Sequence, residues 1–153
     1  MGIAASTLRF YRSQSLVKAY PVSTSRRPPS NQKDSLGTPR GLHAIGDRIG
    51  AGQPPGMVFK GRVSTGHHFS EVTGHDSELN LITSRILRLR GLEPGANQGG
   101  NVDSYDRYIY IHGTNHEDRI GRPVSAGCIL MRNMDIIELY DEVRSGDLVW
   151  ISD

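Results

Sequence analysis

The sequence predicts an all-β or α+β domain with many turns. Its 153 residues include 18 glycines and 8 prolines, which helical bundles tolerate poorly, and its hydrophobic fraction is 36%. A chain of this length buries a core without disulfides or metal ions. We therefore expect a single domain over residues 1–153.

The first half of the chain contains three predicted strands. In residues 15–25, Leu16, Lys18 and Tyr20 alternate with Val17 and Ala19, which predicts a strand. Pro21 restricts that strand to a sheet edge or a strand end. The long polar segment 25–41 follows, and its length favours a functional surface loop over a linker. Residues 42–49 and 57–63 predict two further strands around the turn GAGQPPG.

The middle of the chain is less regular. Residues 67–78 predict a polar, irregular segment, whereas 81–92 fit the spacing of both a helix and a strand. Residues 108–112 are the clearest strand, since Ile109 and Ile111 alternate with other bulky side chains. Two apolar faces predict that this strand is central and buried.

One helix and one strand are expected at the end of the chain. Apolar residues recur at helical spacing over 135–143, Asn133 is placed to cap the start of that helix, and Gly146 follows its end. Residues 148–151 predict a final strand.

The charge distribution limits the classes of partner. The net charge is +2, but residues 1–40 carry seven Lys or Arg side chains against one Asp. These basic residues are scattered without a helical pattern or aromatic ladder, so we expect no nucleic-acid partner. Arg9, Arg12 and Lys18 interrupt any apolar core of a secretory signal, and no later segment is suited to membrane insertion. We therefore expect a cytoplasmic protein, or a periplasmic or cell-wall one if the sequence has been trimmed.

The single cysteine is the main candidate for chemistry. Cys128 has no partner for an internal disulfide, so it is either a small buried hydrophobic residue or a reactive thiol. A thiolate is stabilised by an imidazolium or by backbone N–H groups, and His112 at the end of a strand supplies the first. The Gly113 carbonyl is placed to orient the ring. Gly127 lets the chain turn its N–H groups into an oxyanion hole, and Ser125 braces that turn.

The region 108–151 resembles the catalytic core of the L,D-transpeptidase (YkuD-like) family. The residues that match its ordered motif are His112-Gly113-Thr114-Asn115, Ile120-Gly121, Ser125, Gly127-Cys128-Ile129, Met131, Asn133, Asp135, Glu138-Leu139 and Gly146. The segments AYPVSTS and LGTPRG are similar to the family's first strands. The resemblance implies a mainly β fold, a mixed β-sandwich or barrel with one or two short helices.

The resemblance also implies a site without a metal or an organic cofactor. Cys128 would be the acylated nucleophile, His112 the base and the Gly113 carbonyl its orienting partner. The residues implied for the oxyanion hole or for substrate binding are Gly127, Ser125, Arg132, Tyr110, Thr114 and Asn115.

Two positions depart from the family pattern. Ala126 stands where many members have histidine, and that position varies. Leu130 stands where members usually carry arginine, an anchor for a substrate carboxylate or for the charge that forms at the carbonyl. Arg132 compensates only if its side chain turns back toward the pocket.

Four loop histidines raise the alternative of a zinc site. His67, His68, His75 and His116 lack the close paired spacing of structural zinc ligands, so we expect no metal there. His68 and His75 are instead candidates for lining a substrate groove.

The implied reaction is acyl transfer on peptidoglycan stem peptides or muropeptides. Cys128 would attack the carbonyl of the third-position diamino acid, expel the terminal D-alanine and leave a thioester. Water then gives an L,D-carboxypeptidase for muropeptide recycling. An amine from a second stem gives an L,D-transpeptidase that forms 3-3 cross-links or exchanges terminal D-amino acids. The expected cytoplasmic location favours hydrolysis, and a non-catalytic wall-binding module is the alternative from another class. A covalent carbapenem adduct at Cys128 would distinguish an enzyme from such a module.

Overall fold

The computed structural model describes residues 1–153 and contains nine β-strands and one α-helix. The strands are β1 (Thr7–Arg12), β2 (Ser15–Pro21), β3 (Gly41–Ile49), β4 (Met57–Lys60), β5 (Val63–His68), β6 (Ile82–Gly91), β7 (Tyr110–Gly113), β8 (Ile129–Met131) and β9 (Leu148–Ile151), and the helix is α1 (Asn133–Glu142). Short 3-10 helices cover Phe69–Glu71, Gly74–Glu78, Gly100–Val102 and Glu117–Arg119. The mainly β prediction is confirmed, with a single α-helix.

Most strands join one branched sheet. Its main path runs β5-β4-β6-β3-β9, while β1 and β2 form a separate antiparallel hairpin. One edge of β6 pairs with β4 and then with β3, and the other edge pairs with β7. Among the strands, β8 pairs only with β7 and lies parallel to it. This arrangement places the short strands β7 and β8 side by side.

The ambiguous segment 81–92 is the long strand β6. Leu87 and Leu89 pack into the larger core, whereas Ile86 packs into a smaller core. Both faces of the strand are covered, so apolar residues occur at both parities of the alternation, and this pattern also fits helical spacing. Pairing with three neighbouring strands decides in favour of the extended conformation.

Two hydrophobic cores lie on the two faces of β7. Ile109 and Ile111 belong to the larger core, which also includes α1 and the β1–β2 hairpin, and Tyr110 belongs to the smaller one. The predicted central strand is therefore confirmed over its buried part. Its predicted first residue, Tyr108, is wrong: this residue is 52% exposed and has a φ of 56°, which is incompatible with an extended strand.

The predicted C-terminal helix is confirmed, but its predicted cap is wrong. The apolar face of α1 is buried as expected. Asn133 is the first helical residue, not the cap, and its backbone N–H donates to Glu117 Oε1 at 2.7 Å. A carboxylate at this end of a helix satisfies an unpaired N–H and interacts favourably with the helix dipole. Glu117 therefore supplies the capping acceptor.

Several strand boundaries differ from the predictions. The strand predicted over 15–25 ends at Pro21, and the following residues cross to β8, where Ser23 and Leu130 exchange two backbone hydrogen bonds. The strand predicted over 57–63 is broken by a hairpin turn at Gly61 and Arg62. The segment predicted to be irregular over 67–78 begins with the end of β5. No helix has the length and apolar character needed to cross a membrane.

Candidate active site

The parallel pair β7–β8 places His112 and Cys128 on the same face of the sheet. In the register of this pair, Ile111 lies opposite Ile129 and His112 lies opposite Leu130. Both isoleucines point into the larger core, so the alternation of side chains directs His112 and Leu130 to the opposite face. Cys128 precedes β8 and packs on the smaller core of that face. The thiol and the imidazole thus come from adjacent strands.

The thiol makes two contacts with the backbone around the start of β7. Tyr110 N–H donates to Cys128 Sγ over 3.4 Å, and the thiol donates to the carbonyl oxygen of Tyr108 over 3.4 Å. The cysteine is partly exposed. It makes no hydrogen bond to His112, so the structure shows the thiol in a resting orientation directed toward the backbone of Tyr108 and Tyr110.

His112 is buried and held in one orientation. Its Nδ1 lies 2.6 Å from the carbonyl oxygen of Gly113, and its side chain is 3% exposed. Because a carbonyl only accepts, Nδ1 carries the hydrogen, and this assignment leaves Nε2 as a lone-pair acceptor. Nε2 makes no hydrogen bond within the protein. The ring is therefore arranged to take a proton at Nε2.

Burial keeps both groups uncharged at rest. It raises the pKa of the Cys128 thiol to about 11, although the Tyr110 N–H and the charge of Arg107 act in the opposite direction. Burial also lowers the pKa of His112 to about 4, against the effect of the Gly113 carbonyl. The expected imidazolium beside the thiol is therefore not the resting form. His112 has the protonation state of a general base instead.

The turn before Cys128 is fixed by Ser125 and Gly127. Ser125 Oγ donates to the carbonyl of Cys128 at 2.6 Å and accepts from Gly127 N–H at 3.3 Å. Gly127 has a φ of 123°, and a Cβ there would meet the carbonyl oxygen of Gly37 at 3.3 Å. A side chain would be strained and crowded at this position. The backbone N–H of Cys128 makes no hydrogen bond, so it is the free donor for an oxyanion.

Two other residues predicted to bind substrate form hydrogen bonds within the protein. Thr114 is fully buried, and its Oγ1 accepts from His116 N–H at 3.0 Å. Asn115 accepts from Leu81 N–H at 2.9 Å and donates to the carbonyl of Leu79 at 3.0 Å. Their side chains hold the loops beside the His112-Gly113 segment. A substrate contact by either residue stays a prediction.

The remaining predicted residues lie in different environments. Tyr110 is buried, and its hydroxyl accepts from Arg62 at 3.2 Å. Arg132 is exposed at the start of α1, and its side chain makes no hydrogen bond or ion pair within the protein. Leu130 is 2% exposed on the face that carries His112. This face therefore has an apolar side chain at the position where the family pattern has an arginine.

Arg107 is a site residue that the sequence analysis missed. It is half-buried and donates to the carbonyl oxygens of Gly37 at 2.7 Å and Ser30 at 3.1 Å. Gly37 in turn lies against Gly127. Arg107 thus ties the long loop after β2 to the turn that carries Cys128. No motif or periodicity marks this arginine, since only the folded loop brings its partners together.

A buried polar cluster supports the segment that holds His112. Asn133 Oδ1 accepts from the hydroxyls of Thr83 at 2.5 Å and Ser84 at 2.6 Å, and Asn133 Nδ2 donates to the Thr114 carbonyl at 2.9 Å. A Cβ on Gly113 would lie 2.6 Å from the carbonyl oxygen of Thr83. Gly113 must therefore be glycine for β7 to approach β6 this closely. The motif match included Asn133, but its contacts required the fold.

Two cavities flank the turn before Cys128 and meet at Leu36 and Ala126. One has a volume of about 400 Å³ and is also lined by Arg26, Arg27 and Ser125. The other has a volume of about 330 Å³, and its lining includes Arg107, Tyr108 and Ile109. Both cavities thus reach the turn at Ala126, and neither is lined by Cys128 or His112.

The four loop histidines are spread over separate contacts. His67 lies 3.3 Å from Glu71 and His75 lies 3.8 Å from Glu78, both at exposed positions. His68 contacts the hydroxyl of Ser70, and His116 contacts a backbone carbonyl. No three side chains of the metal-binding types gather at one point.

Comparisons with a protein family and with solved structures both point to the fold of the L,D-transpeptidase catalytic domain. A family model described as the YkuD L,D-transpeptidase catalytic domain matches residues 3–151. An L,D-transpeptidase from Mycobacterium smegmatis has a TM-score of 0.60 and 21% identity, over 99% of this chain and 56% of that one. A structure of an L,D-transpeptidase in complex with imipenem has a TM-score of 0.56 and 18% identity, over 98% and 56% of the two chains.

Curated relatives match shorter parts of the chain. The putative L,D-transpeptidase YkuD of Bacillus subtilis strain 168 is 43% identical over 61 residues, which are 37% of each protein. A protein named large ribosomal subunit protein uL3, from Polaromonas sp. strain JS666, is 35% identical over 89 residues, which are 56% of this chain and 38% of that protein. This chain thus spans less than two fifths of these relatives, and the ribosomal name assigns no such role here.

Proposed function

This chain belongs to the L,D-transpeptidase catalytic domain family, and we propose that it catalyses cysteine-dependent acyl transfer on peptidoglycan stem peptides. The observation that carries the proposal is the placement of Cys128 and His112 on one sheet face, with His112 Nδ1 bound to the Gly113 carbonyl. The substrate class is proposed from the family, because peptidoglycan is what its transpeptidation chemistry implies.

The proposed first step is attack by Cys128 on a peptide carbonyl. Because thiol and imidazole are both neutral at rest, the thiol must turn from the Tyr108 carbonyl toward His112 Nε2. Sγ then bonds to the carbonyl carbon while His112 accepts the thiol proton. The Cys128 N–H donates to the oxyanion that forms. Collapse breaks the C–N bond to the terminal D-alanine, whose amine takes the proton from His112, and a thioester remains.

We propose that water resolves most of this thioester, which makes the chain an L,D-carboxypeptidase. His112 takes a proton from the water, the new C–O bond forms, and the C–Sγ bond breaks with return of the proton to the thiol. The support is the buried Leu130, which replaces a cationic anchor on the face of the site. This replacement suggests altered handling of the substrate end. Water is present at high concentration and needs no binding site, whereas an acceptor amine must be held near the thioester.

A cross-linking L,D-transpeptidase is the second candidate. The observation that favours it is the presence of two cavities that share Leu36 and Ala126, and Ala126 lies two positions before Cys128. A transpeptidase needs two peptide sites around one sulfur. In this case the amine of a second stem takes the place of water in the second step.

The test uses purified protein with a soluble disaccharide-tetrapeptide, analysed by mass spectrometry. Tripeptide plus free D-alanine is expected, while cross-linked dimer or exchange of the terminal residue would show the second candidate. Imipenem should add to the wild-type protein and not to Cys128→Ala, which should also lose turnover while keeping its stability. Full activity of Cys128→Ala would end the cysteine mechanism, and a wild-type protein with neither turnover nor adduct would favour a wall-binding module.

A further inference from the structure

Arg62 occupies an unusual position in the hairpin between β4 and β5. Lys60 pairs with Val63, so Gly61 and Arg62 are the two central residues of the turn. Both have positive φ, 53° for Gly61 and 67° for Arg62, as a type I′ turn requires. Glycine or asparagine meets that requirement with less strain than arginine does. A backbone strain of this kind points to a use for the arginine side chain.

The guanidinium of Arg62 is held by two aromatic residues and not by an acid. It donates to the hydroxyl of Tyr110 at 3.2 Å, and its central carbon lies 5.2 Å from the centre of the Tyr108 ring. It forms no ion pair within the protein. An arginine has five N–H donors, and a single one is used here. Stacking on a ring leaves the edge of the guanidinium available for a planar anion.

Both aromatic partners of Arg62 also contact the nucleophile. The Tyr108 carbonyl accepts from Cys128 Sγ, and the Tyr110 N–H donates to the same atom. Arg62 and the sulfur thus contact opposite ends of Tyr110, the hydroxyl at 3.2 Å and the backbone N–H at 3.4 Å. A group that bonds to Arg62 while its carbonyl meets Cys128 must lie several bonds from that carbonyl.

The other arginines close to this position are already used by the protein. Arg88 is buried and donates to the carbonyl of Tyr105, and Arg107 donates to the carbonyls of Gly37 and Ser30. Leu130 contributes no charge to this face. Arg62 thus combines a cation, free donors and a fixed distance from the sulfur.

We propose that Arg62, stacked on Tyr108 and braced by Tyr110, binds a side-chain carboxylate of the third residue of the stem peptide. The terminal carboxylate of the substrate lies too near the attacked carbonyl to reach it. The third residue is then a diamino dicarboxylic acid whose distal carboxylate is bound, and an amide at that place would lose the charge-assisted hydrogen bonds. This inference rests on the proposed function and assigns the specificity of the same site.

Two tetrapeptides that differ only in the distal group of the third residue, carboxylate or carboxamide, test the proposal. The wild-type protein should prefer the carboxylate by about 10-fold or more in kcat/KM, mainly through KM. Arg62→Gln should remove that preference by raising KM for the carboxylate peptide toward the value for the carboxamide peptide. Lys60→Gln is the matched control, because Lys60 is exposed in the same hairpin and loses the same charge.

Binding of both peptides to Cys128→Ala, with and without Arg62→Gln, gives a readout that does not depend on turnover. Retention of the carboxylate preference in Arg62→Gln would overturn the assignment, and so would an equal loss in Lys60→Gln. Loss of the preference in Arg132→Gln alone would move the subsite to the start of α1. A wild-type protein that cleaves neither peptide and does not bind them would instead defeat the proposed function itself.

Discussion

The thiol of Cys128 donates to the carbonyl oxygen of Tyr108, 3.4 Å away, and not to His112. Tyr108, whose carbonyl accepts this hydrogen bond, has a φ of 56°, in the left-handed region. A protonated thiol with a backbone acceptor is a poor nucleophile. In the proposed mechanism, substrate binding frees the thiol from Tyr108 before His112 Nε2 takes its proton.

Removal of the charge of Arg107 should raise the pKa of the Cys128 thiol further, because Arg107 is the cation that lowers it. We expect Arg107→Gln to move the pH profile of iodoacetamide alkylation to higher pH, and Arg107→Lys to move it less. The pH dependence is the useful measurement, because a loosened loop would change the alkylation rate at a single pH through greater exposure of the thiol alone. Arg122→Gln, at an exposed position, is the control. An unmoved profile in Arg107→Gln would show that the charge does not reach the sulfur.

The sequence predicted those features that depend on local pattern. The spacing of Ile136, Leu139 and Tyr140 predicts α1, and alternation over Ile109–Ile111 predicts a strand with two buried faces. Both signals come from residues close together in the chain. They required no knowledge of the partners on other strands.

Features that depend on distant contacts were not predictable in this way. Strand β1 carries exposed charged residues, so its hydrophobic alternation is weak, and its extended conformation depends on pairing with β2. Asn133 looks like a helix cap, but Glu117 takes that role because a loop returns to the helix start. The use of Arg62 and Arg107 likewise depends on loop closure.

Acid should destabilise the protein through His112. The folded state lowers the pKa of this histidine from 6.5 to about 4 by burial, so below pH 6.5 the unfolded chain binds a proton that the folded chain does not. The free energy of unfolding should therefore fall as the pH is lowered from 6.5 to about 4, by roughly 3 kcal/mol at most from this residue. Urea unfolding at several pH values measures the slope.

His112→Gln should reduce that slope without removing it. Burial also lowers the pKa of His43, whose Nε2 lies 2.8 Å from the Ser104 hydroxyl, so His43 contributes in the same direction. The double variant His43→Gln, His112→Gln should show the smallest slope over this range. If His112→Gln has the wild-type slope, the histidine is not kept neutral by burial.

Asn133→Ala should cost both stability and acylation rate. The change leaves the buried hydroxyls of Thr83 and Ser84 without their shared acceptor and the Thr114 carbonyl without its donor. Unsatisfied buried polar groups of this kind cost about 1–3 kcal/mol each, although rotation of the hydroxyls recovers part of that. We expect a loss of at least about 2 kcal/mol in denaturant unfolding. Met134→Ala, at the exposed neighbouring position, should stay close to wild type.

The same variant tests whether the polar cluster serves His112. Asn133 and Thr83 surround Gly113, whose carbonyl holds the His112 ring. A looser cluster should let the ring rotate, so that Nε2 is no longer held in position to accept the proton. Imipenem acylation of the folded Asn133→Ala protein should then be at least several-fold slower than that of Met134→Ala, since misplaced catalytic groups lose much of their effective concentration. A destabilised variant with the wild-type acylation rate would show that Asn133 contributes to stability and not to the position of His112. Slower acylation with an unchanged alkylation profile of Cys128 would place the defect at the base, because the thiol itself would have kept its environment.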